Sequence, residues 1–419
     1  MGVARPPAHK DKYGLALRIG QSVGGGSMKV LVVGASGQMG AMTVKDLVES
    51  YGADVVAGDL SLERAKRVAE SVSKEHVTPV KLDATDKDDL RKAAKGVDVV
   101  LNSAWYELNI KVMPVAIDLG AHYGDLGGFY DFTFQQLKYD RKAKDAGVTC
   151  VLGIGSSPGI TNICGAAGAK RLDKVDTINI YCTWGTKARS DRAAMPSYSV
   201  RTVLDELTQE PPVVKDGVKT RMPVLSGGTE VWMPEPAGKV TAYYIKHSEP
   251  ATMADFIGKG TRNVSFRIGF PPNDFATFKT LAQLGFGSEK DIDVQGKRVS
   301  PKEFITSMYL DAVASSRDSA EVVDEYDFFR VDVLGEKDGT PAEATYFVKT
   351  WNDRKTGAPS GRDTAVPPSI TAHWLFKGKI KARGTLPPEA CIEPEPFFRE
   401  LGKRGIQVEE EAQSSRRFY

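Results

Sequence analysis

The chain has 419 residues. A compact domain usually holds about 100–200 residues, so two or three domains are expected. Hydrophobic residues make up 41% and charged residues 26%, a globular composition that excludes disorder as the main state. The 56 Lys and Arg nearly balance the 54 Asp and Glu, so no nucleic acid or acidic membrane is called for as a partner. No apolar run reaches the ~18 residues that a membrane-spanning helix needs.

Residues 1–27 are rich in Gly, Pro and basic side chains, include Gly24-Gly25-Gly26-Ser27 and lack periodicity. They read as a disordered extension without the apolar core of a secretory signal, and Met28 reads as the functional beginning. Cys150, Cys164, Cys182 and Cys391 form no Cys-x-x-Cys pair and have no His at zinc spacing. They are expected to be buried free thiols in a reducing cytoplasm, with no metal site.

From Met28 onward, short apolar runs alternate with helical patterns. Strands are predicted at Lys29–Val33, Asp54–Ala57, Val77–Leu82, Val97–Leu101 and Thr149–Leu152, with helices at Met39–Ser50, Leu62–Val72 and Lys87–Lys95. Strands separated by helices of this length predict parallel βαβ units, here an N-terminal Rossmann-type sheet over 28–155.

The strongest motif closes the first of these strands. Lys29-Val30-Leu31-Val32-Val33 runs into Gly34-Ala35-Ser36-Gly37-Gln38-Met39-Gly40, a Gly-x-x-Gly-x-x-Gly turn between strand and helix. The first glycine permits the tight turn, the second lets backbone approach a pyrophosphate, and the third lets helix and strand pack closely. Amides at Ser36, Gln38 and Met39 then offer N–H groups and the positive end of the helix dipole to phosphates. Asp59 ends the second strand about twenty residues further on, where a carboxylate accepts the adenosine ribose hydroxyls. Its charge opposes a 2′-phosphate and points to NAD, while Arg64 and Lys66 nearby keep NADP open.

Asp83 ends the third strand, either beside an adenine pocket or as part of the start of the next helix. Asn102-Ser103-Ala104 ends the fourth, where the small Ser103 and Ala104 let backbone meet the nicotinamide ribose; Asn102 also suits a turn.

Beyond Gly155 the pattern changes. Strands at Thr177–Thr183, Val240–His247, Asn263–Phe270, Asp327–Leu334 and Ala344–Trp351 accompany helices near Val200–Leu207, Phe275–Leu284 and Pro301–Ser315. Several of these strands follow one another without a crossover helix, which predicts a second α/β domain over 156–380 with a mixed, largely antiparallel sheet. Glu210–Lys215 and Met222–Gly238 read as loops. Residues 381–419 form a tail with a helical run at Phe397–Arg404.

Five segments carry a family likeness: Gly34–Gly40, Asn102-Ser103-Ala104-Trp105-Tyr106-Glu107-Leu108-Asn109, Tyr123-Gly124-Asp125-Leu126-Gly127-Gly128, Gly155-Ser156-Ser157-Pro158-Gly159-Ile160-Thr161-Asn162 and Gly384-Thr385-Leu386-Pro387-Pro388-Glu389. Through them the chain resembles the saccharopine dehydrogenase-like family, with the lysine 6-dehydrogenase branch nearest. The resemblance implies a Rossmann domain completed by C-terminal residues and a second domain that holds substrate and makes a homodimer. It also implies oxidation at an amine-bearing carbon. Asp125, Gly127 and Gly128 fall on the family's Asp-Leu-Gly-Gly segment beside the nicotinamide, and Tyr198 and His247 on matching positions of the second domain. One departure follows the histidine. The lysine enzymes have small, glycine-rich residues there, and this chain reads Ser248-Glu249-Pro250-Ala251.

Hydride transfer at a C–N centre needs one group to exchange a proton. His247 is the expected general base, its alternative being a histidine merely hydrogen-bonded at a strand end. Asp125 lies on the carboxyl edge of the sheet, where it either meets the substrate's ammonium, acts as base, or forms a turn. Asn162 either binds substrate or caps the following helix.

Two other functions stay open. A short-chain-type reductase would need a Tyr with Lys four residues later, and no tyrosine is followed by Lys at that spacing. A non-catalytic redox sensor would bind the dinucleotide without turnover.

Overall fold

The computed structural model describes residues 26–127, 129–186, 200–316, 324–353 and 359–414. In the first half, strands β1 (Lys29–Val33), β2 (Asp54–Asp59), β3 (Val77–Lys81), β4 (Val99–Asn102), β5 (His122–Asp125) and β6 (Thr149–Val151) alternate with helices. These are α1 (Gln38–Tyr51), α2 (Leu62–Val72), α3 (Lys87–Ala93), α4 (Asn109–Asp118), α5 (Tyr130–Leu137) and α6 (Asp140–Asp145). Local chemistry sets the ends: the Ser61 hydroxyl caps α2, the Asp86 carboxylate caps α3, and Gly52 closes α1 in the left-handed conformation.

The second half begins with α7 (Ile160–Arg171), β7 (Lys174–Thr186), α8 (Val200–Thr208), β8 (Pro212–Lys215), β9 (Val218–Arg221), β10 (Thr229–Trp232), β11 (Lys239–Tyr244), α9 (Glu249–Ile257) and β12 (Asn263–Gly269). There follow α10 (Pro272–Gln283), a small hairpin of β13 (Ile292–Val294) and β14 (Lys297–Val299), α11 (Pro301–Ser316), and the long hairpin β15 (Glu325–Lys337) and β16 (Thr340–Trp351). The chain ends with α12 (Arg362–Phe376), β17 (Gly384–Leu386), α13 (Pro388–Cys391), α14 (Pro394–Gly402) and β18 (Ile406–Ser414).

The first sheet has seven strands in the order β17-β6-β5-β4-β1-β2-β3, all parallel. Its order reverses between β1 and β4, which opens a crevice at the carboxyl ends of those two strands. The second sheet runs β10-β11-β12-β7-β15-β16-β18, with β8 and β9 attached at β12. Its pairs are antiparallel except β7 with β12. The protein is therefore α/β throughout, with a Rossmann-type sheet and a mixed, largely antiparallel second sheet.

The tail serves both sheets. Gly384–Leu386 adds a strand beside β6, and Ile406–Ser414 borders β16. Helix α12 returns between them and packs on α1, where the Thr43 hydroxyl donates to the Ala365 carbonyl at 2.8 Å. One apolar core joins the two sheets through α1, α7 and α12, and a second fills the far face of the first sheet. α7 is buried on nearly every side, and its small residues allow this: Gly165 lies against Met253 and Gly168 against Val333.

Two expected loops contain strands. Pro212–Lys215 pairs with Val218–Arg221, and Thr229–Trp232 pairs with Lys239–Tyr244. Their Pro and Gly content hid short strands, the first pair joined by the two-residue turn Asp216-Gly217 and the second across residues 233–238. The strand expected to reach His247 stops at Tyr244, and the chain turns inward there.

Candidate active site

At the end of β1, Gly34 takes φ +75°, and a Cβ there would sit 2.8 Å from that of Ala104. Ala104 thus closes on the glycine turn from the end of β4. A Cβ on Gly40 would lie 2.2 Å from the Gly34 carbonyl oxygen, so helix and strand touch backbone to backbone. Gly37 has only that oxygen near, at 3.2 Å. No side chain caps α1 and no acidic residue stands in its first turn. The leading amides of Gln38, Met39 and Gly40 have no partner within the helix and face an unopposed dipole end. A cradle that closes tightly around the first and third glycines and stays open at the second fits a dinucleotide diphosphate.

Asp59 is buried at the end of β2. Its carboxylate accepts the Ser36 hydroxyl and amide, the Ser61 amide at 3.0 Å and Arg64 at 3.1 Å. Burial pulls this carboxyl upward, but those donors outweigh it and hold it below the usual range. Asp83 lies on the same sheet edge and accepts the Thr85 amide and hydroxyl, at 2.8 and 2.7 Å; Asp86 is the helix cap instead. The Ser103 amide bonds to Val33, while its hydroxyl is buried without a partner. Asn102 donates to Asn109 at 2.6 Å, and Asn109 in turn donates to the Gly127 carbonyl.

Asp125 is held within the fold. It is 1% exposed, with one oxygen accepting the amides of Gly127 and Gly153, each at 2.8 Å, and the other accepting the Gln136 amide at 2.6 Å. Burial raises its pKa against these hydrogen bonds. This is a brace between two loops, with no oxygen left for a substrate. Asn162 likewise is spent: its carbonyl caps Gly159 at 2.9 Å and its amide donates to Glu389 at 2.8 Å. Gly128 and Tyr198 lie outside the described residues.

His247 is 12% exposed, stacked on Phe266 with ring centroids 3.9 Å apart, and bonded through Nδ1 to the fully buried Glu249. The other Glu249 oxygen accepts the hydroxyls of Ser157, at 2.5 Å, and Thr161, at 3.1 Å. Pro158, next to Ser157, packs against Gly127 and Gly153. The histidine is thereby tied to the segment that follows β5. His122 instead pins β6 through Thr149, and burial lowers its pKa to about 4. His373 stacks on Tyr51 away from this site.

Lys246, which precedes His247 in the chain, lines a cavity of about 540 Å³ together with Tyr106, Phe132, Asp205, Gln209 and Lys302, among others. Tyr106 comes from the end of β4 and Phe132 from beyond β5. The Tyr106 hydroxyl donates to Asp205 at 3.3 Å, and Lys302 pairs with Asp205 and with Glu289 at 2.9 Å. Lys246, nearly buried, donates to Gln209 at 2.6 Å and lies 5.1 Å from the Phe129 ring centre. The cavity therefore carries both charge signs on an aromatic wall.

Sequence reasoning missed Asp205, Lys246, Lys302 and Glu249. Asp205 falls in the helix predicted near Val200–Leu207 and Lys302 in that at Pro301–Ser315, with nothing local to single either out. Glu249 did leave a signal, as the departure after His247. All four cysteines are free, and burial pushes the thiols of Cys150, Cys164 and Cys391 up, away from nucleophilic use.

The family model of the saccharopine dehydrogenase NADP binding domain matches residues 30–151, and that of the saccharopine dehydrogenase C-terminal domain matches 155–406. The chain belongs to the saccharopine dehydrogenase family. It is thus an enzyme of a dehydrogenase family with a nicotinamide-dinucleotide domain. Carboxyaminopropylagmatine dehydrogenase of Synechocystis is 22% identical over 396 residues, spanning 90% of this chain and 96% of that protein. The fold matches saccharopine dehydrogenase (L-Glu forming) of Saccharomyces cerevisiae at TM-score 0.70 and 17% identity, covering 92% of this chain and all of that one. It also matches homospermidine synthase of Legionella pneumophila, solved with NAD, at TM-score 0.66 and 10% identity over 92% and 91% of the two chains. Among the described residues, no helix is long and apolar enough to cross a membrane.

Proposed function

We propose that this saccharopine dehydrogenase-family protein is an NAD-preferring oxidoreductase acting on the C–N bond of an amino acid or opine-like secondary amine. The observation that carries the reading is the charged, aromatic cavity lined by Tyr106 and Phe132 from beyond β4 and β5 and by Lys246, the residue before His247.

Gly34, Gly37, Gly40 and the amides of Gln38 and Met39 would hold the diphosphate, with Asp59 on the ribose and Ser103 and Ala104 near the nicotinamide. Bound there, the nicotinamide supplies the site that accepts or gives hydride. Lys246 takes the substrate carboxylate, because its ion-pair partner, Asp131, is half-exposed, whereas Lys302 shares its charge between Asp205 and Glu289. Asp205 faces the ammonium, and Tyr106 with Phe132 covers the alkyl part and excludes water. His247 exchanges the proton of the reacting nitrogen. Asp125 positions Gly127 and Gly153 and takes no part in proton transfer. The relatives' names support an amine substrate, the family resemblance supports a homodimer, and the free cysteines support a reducing cytoplasm.

The test is turnover. Purified protein with NADH or NADPH receives paired amines and oxo acids or aldehydes, and with the oxidised coenzymes it receives the matching secondary amines. Absorbance of the reduced nicotinamide should change with at least one carboxylate-bearing pair. Tight coenzyme binding without turnover across the panel would favour a sensor.

A further inference from the structure

We propose that Glu249 is a positioning residue that acts through His247, fixing its ring so that Nε2 is the nitrogen that exchanges a proton with the substrate. The inference rests on the reading of His247 given above. It concerns the position where this chain departs from the glycine-rich sequence of the lysine enzymes it resembles.

Three features fix the ring. Glu249 holds Nδ1, Phe266 stacks on its face at an interplanar angle of 15°, and Ser157 and Thr161 anchor the other Glu249 oxygen. A ring bonded at Nδ1 to a carboxylate keeps one tautomer and one orientation, which leaves Nε2 for chemistry. Pro158 links this anchor to Gly127 and Gly153, so the proton-carrying group and the nicotinamide end of the first domain are held by adjoining residues.

Charge then decides what the ring does. The groups facing it are Glu249 from α9 and Glu206 from α8, with the Glu389 carboxyl from α13 beyond Glu249 and Lys246 next in the chain. Burial pulls the imidazole pKa down, but the two carboxylates outweigh it and hold it above its ordinary value, while Glu249 is held below the carboxylate range. The ring therefore holds its proton to higher pH than a free imidazole does, which suits it to act as an acid. In the reductive direction, C=N, hydride and H⁺ combine to CH–NH, and Nε2 provides that H⁺ to nitrogen. In the oxidative direction the ring must first lose its proton, so activity rises with pH.

Glu249→Gln tests this, with Glu249→Asp as the conservative variant. The Gln variant should lower kcat of imine reduction by about 10²-fold at pH 7.5 with KM little changed, the scale of general-acid loss. It should also move the limb of the pH–rate profile that reports His247 to lower pH, and the Asp variant should restore part of both. The His247 imidazole is titrated in parallel by NMR on the coenzyme-bound protein, wild type against Glu249→Gln. A folded Gln variant with the wild-type profile and wild-type imidazole titration overturns the proposal. If the wild type turns over no substrate, the oxidoreductase reading fails, and the NMR titration still decides whether Glu249 controls the ring. A shifted titration with an unchanged rate profile removes His247 from the reaction and Glu249 with it.

Discussion

Replacing Asp59 by alanine separates the two coenzymes. The wild-type carboxylate is 7% exposed and held by Ser36, Ser61 and Arg64, so a ribose diol reaches it by displacing the exposed Arg64 guanidinium. A hydrogen bond to a charged group contributes about 1.5–3 kcal/mol, so losing one such bond weakens NADH binding about 10- to 150-fold. Arg64 is 55% exposed, and its ion pair with Asp59 is worth no more than about 1 kcal/mol after solvent screening. Freed from Asp59, that guanidinium can face a 2′-phosphate, while the negative charge that opposed the phosphate is gone. NADPH affinity should therefore hold or improve. Fluorescence titration of the variant with both reduced coenzymes measures the two constants. Equal losses for NADH and NADPH would refute the ribose assignment, and so would an unchanged NADH constant.

Other outcomes follow from single contacts. Asp125→Asn should keep the fold and most activity. Its oxygen still accepts Gly127 and Gly153, and a turned Gln136 amide offers its buried, unpartnered oxygen to the new NH₂. Asp125→Ala leaves the Gly127 and Gly153 amides and the Gln136 side chain without an acceptor and should cost about 3–9 kcal/mol by denaturant titration; an inactive but stable Asn variant would return Asp125 to the chemistry. Gly40→Ala drives a Cβ into the Gly34 carbonyl and should abolish calorimetric coenzyme binding, whereas Gly37→Ala should retain a measurable constant. Glu389 is raised by burial from 4.5 to about 7. The native state then holds an extra proton between those values, so its contribution to stability falls as pH rises through that window, by about 3 kcal/mol in all. Glu389→Gln should flatten the melting-temperature profile between pH 5 and 8, and an unaltered profile would count against the buried carboxyl.

How much the sequence disclosed depended on whether a feature was local. Gly34, Gly37 and Gly40 could be read because a tight turn, a close approach and a helix start are needs of the backbone within seven residues. The Leu62–Val72 helix was placed to the residue because Ser61 caps it and its apolar positions repeat at helical spacing. Strand β10 was not, since its partner Lys239–Tyr244 lies beyond a Pro- and Gly-rich turn and its pairing is what makes it a strand. The cavity was hidden for the same reason. Asp205, Lys246 and Lys302 are charged residues on three separate elements, and only the fold shows that their charges meet. Asp125 was legible as important while its ammonium, base and turn readings stayed open, because the donors from Gly127, Gly153 and Gln136 are invisible until the chain folds.

Gly153 shows how far the site depends on one close contact. The residue takes φ +71°, and a Cβ there would stand 2.7 Å from Pro158 Cγ. Gly153→Ala therefore brings left-handed strain of about 1–2 kcal/mol and overpacking of about 1–3 kcal/mol. The relief available is outward movement of Pro158, which carries Ser157, and Ser157 holds Glu249 against His247. The glycine cradle at residues 34–40 and Asp59 share no contact with Pro158 among those that define the turn. Coenzyme affinity should survive while kcat falls, a division that overall loosening of the fold would not give. Loss of NADH binding in step with kcat, at a temperature where the variant stays folded, would mean that the proton-handling and hydride-handling halves are not separable.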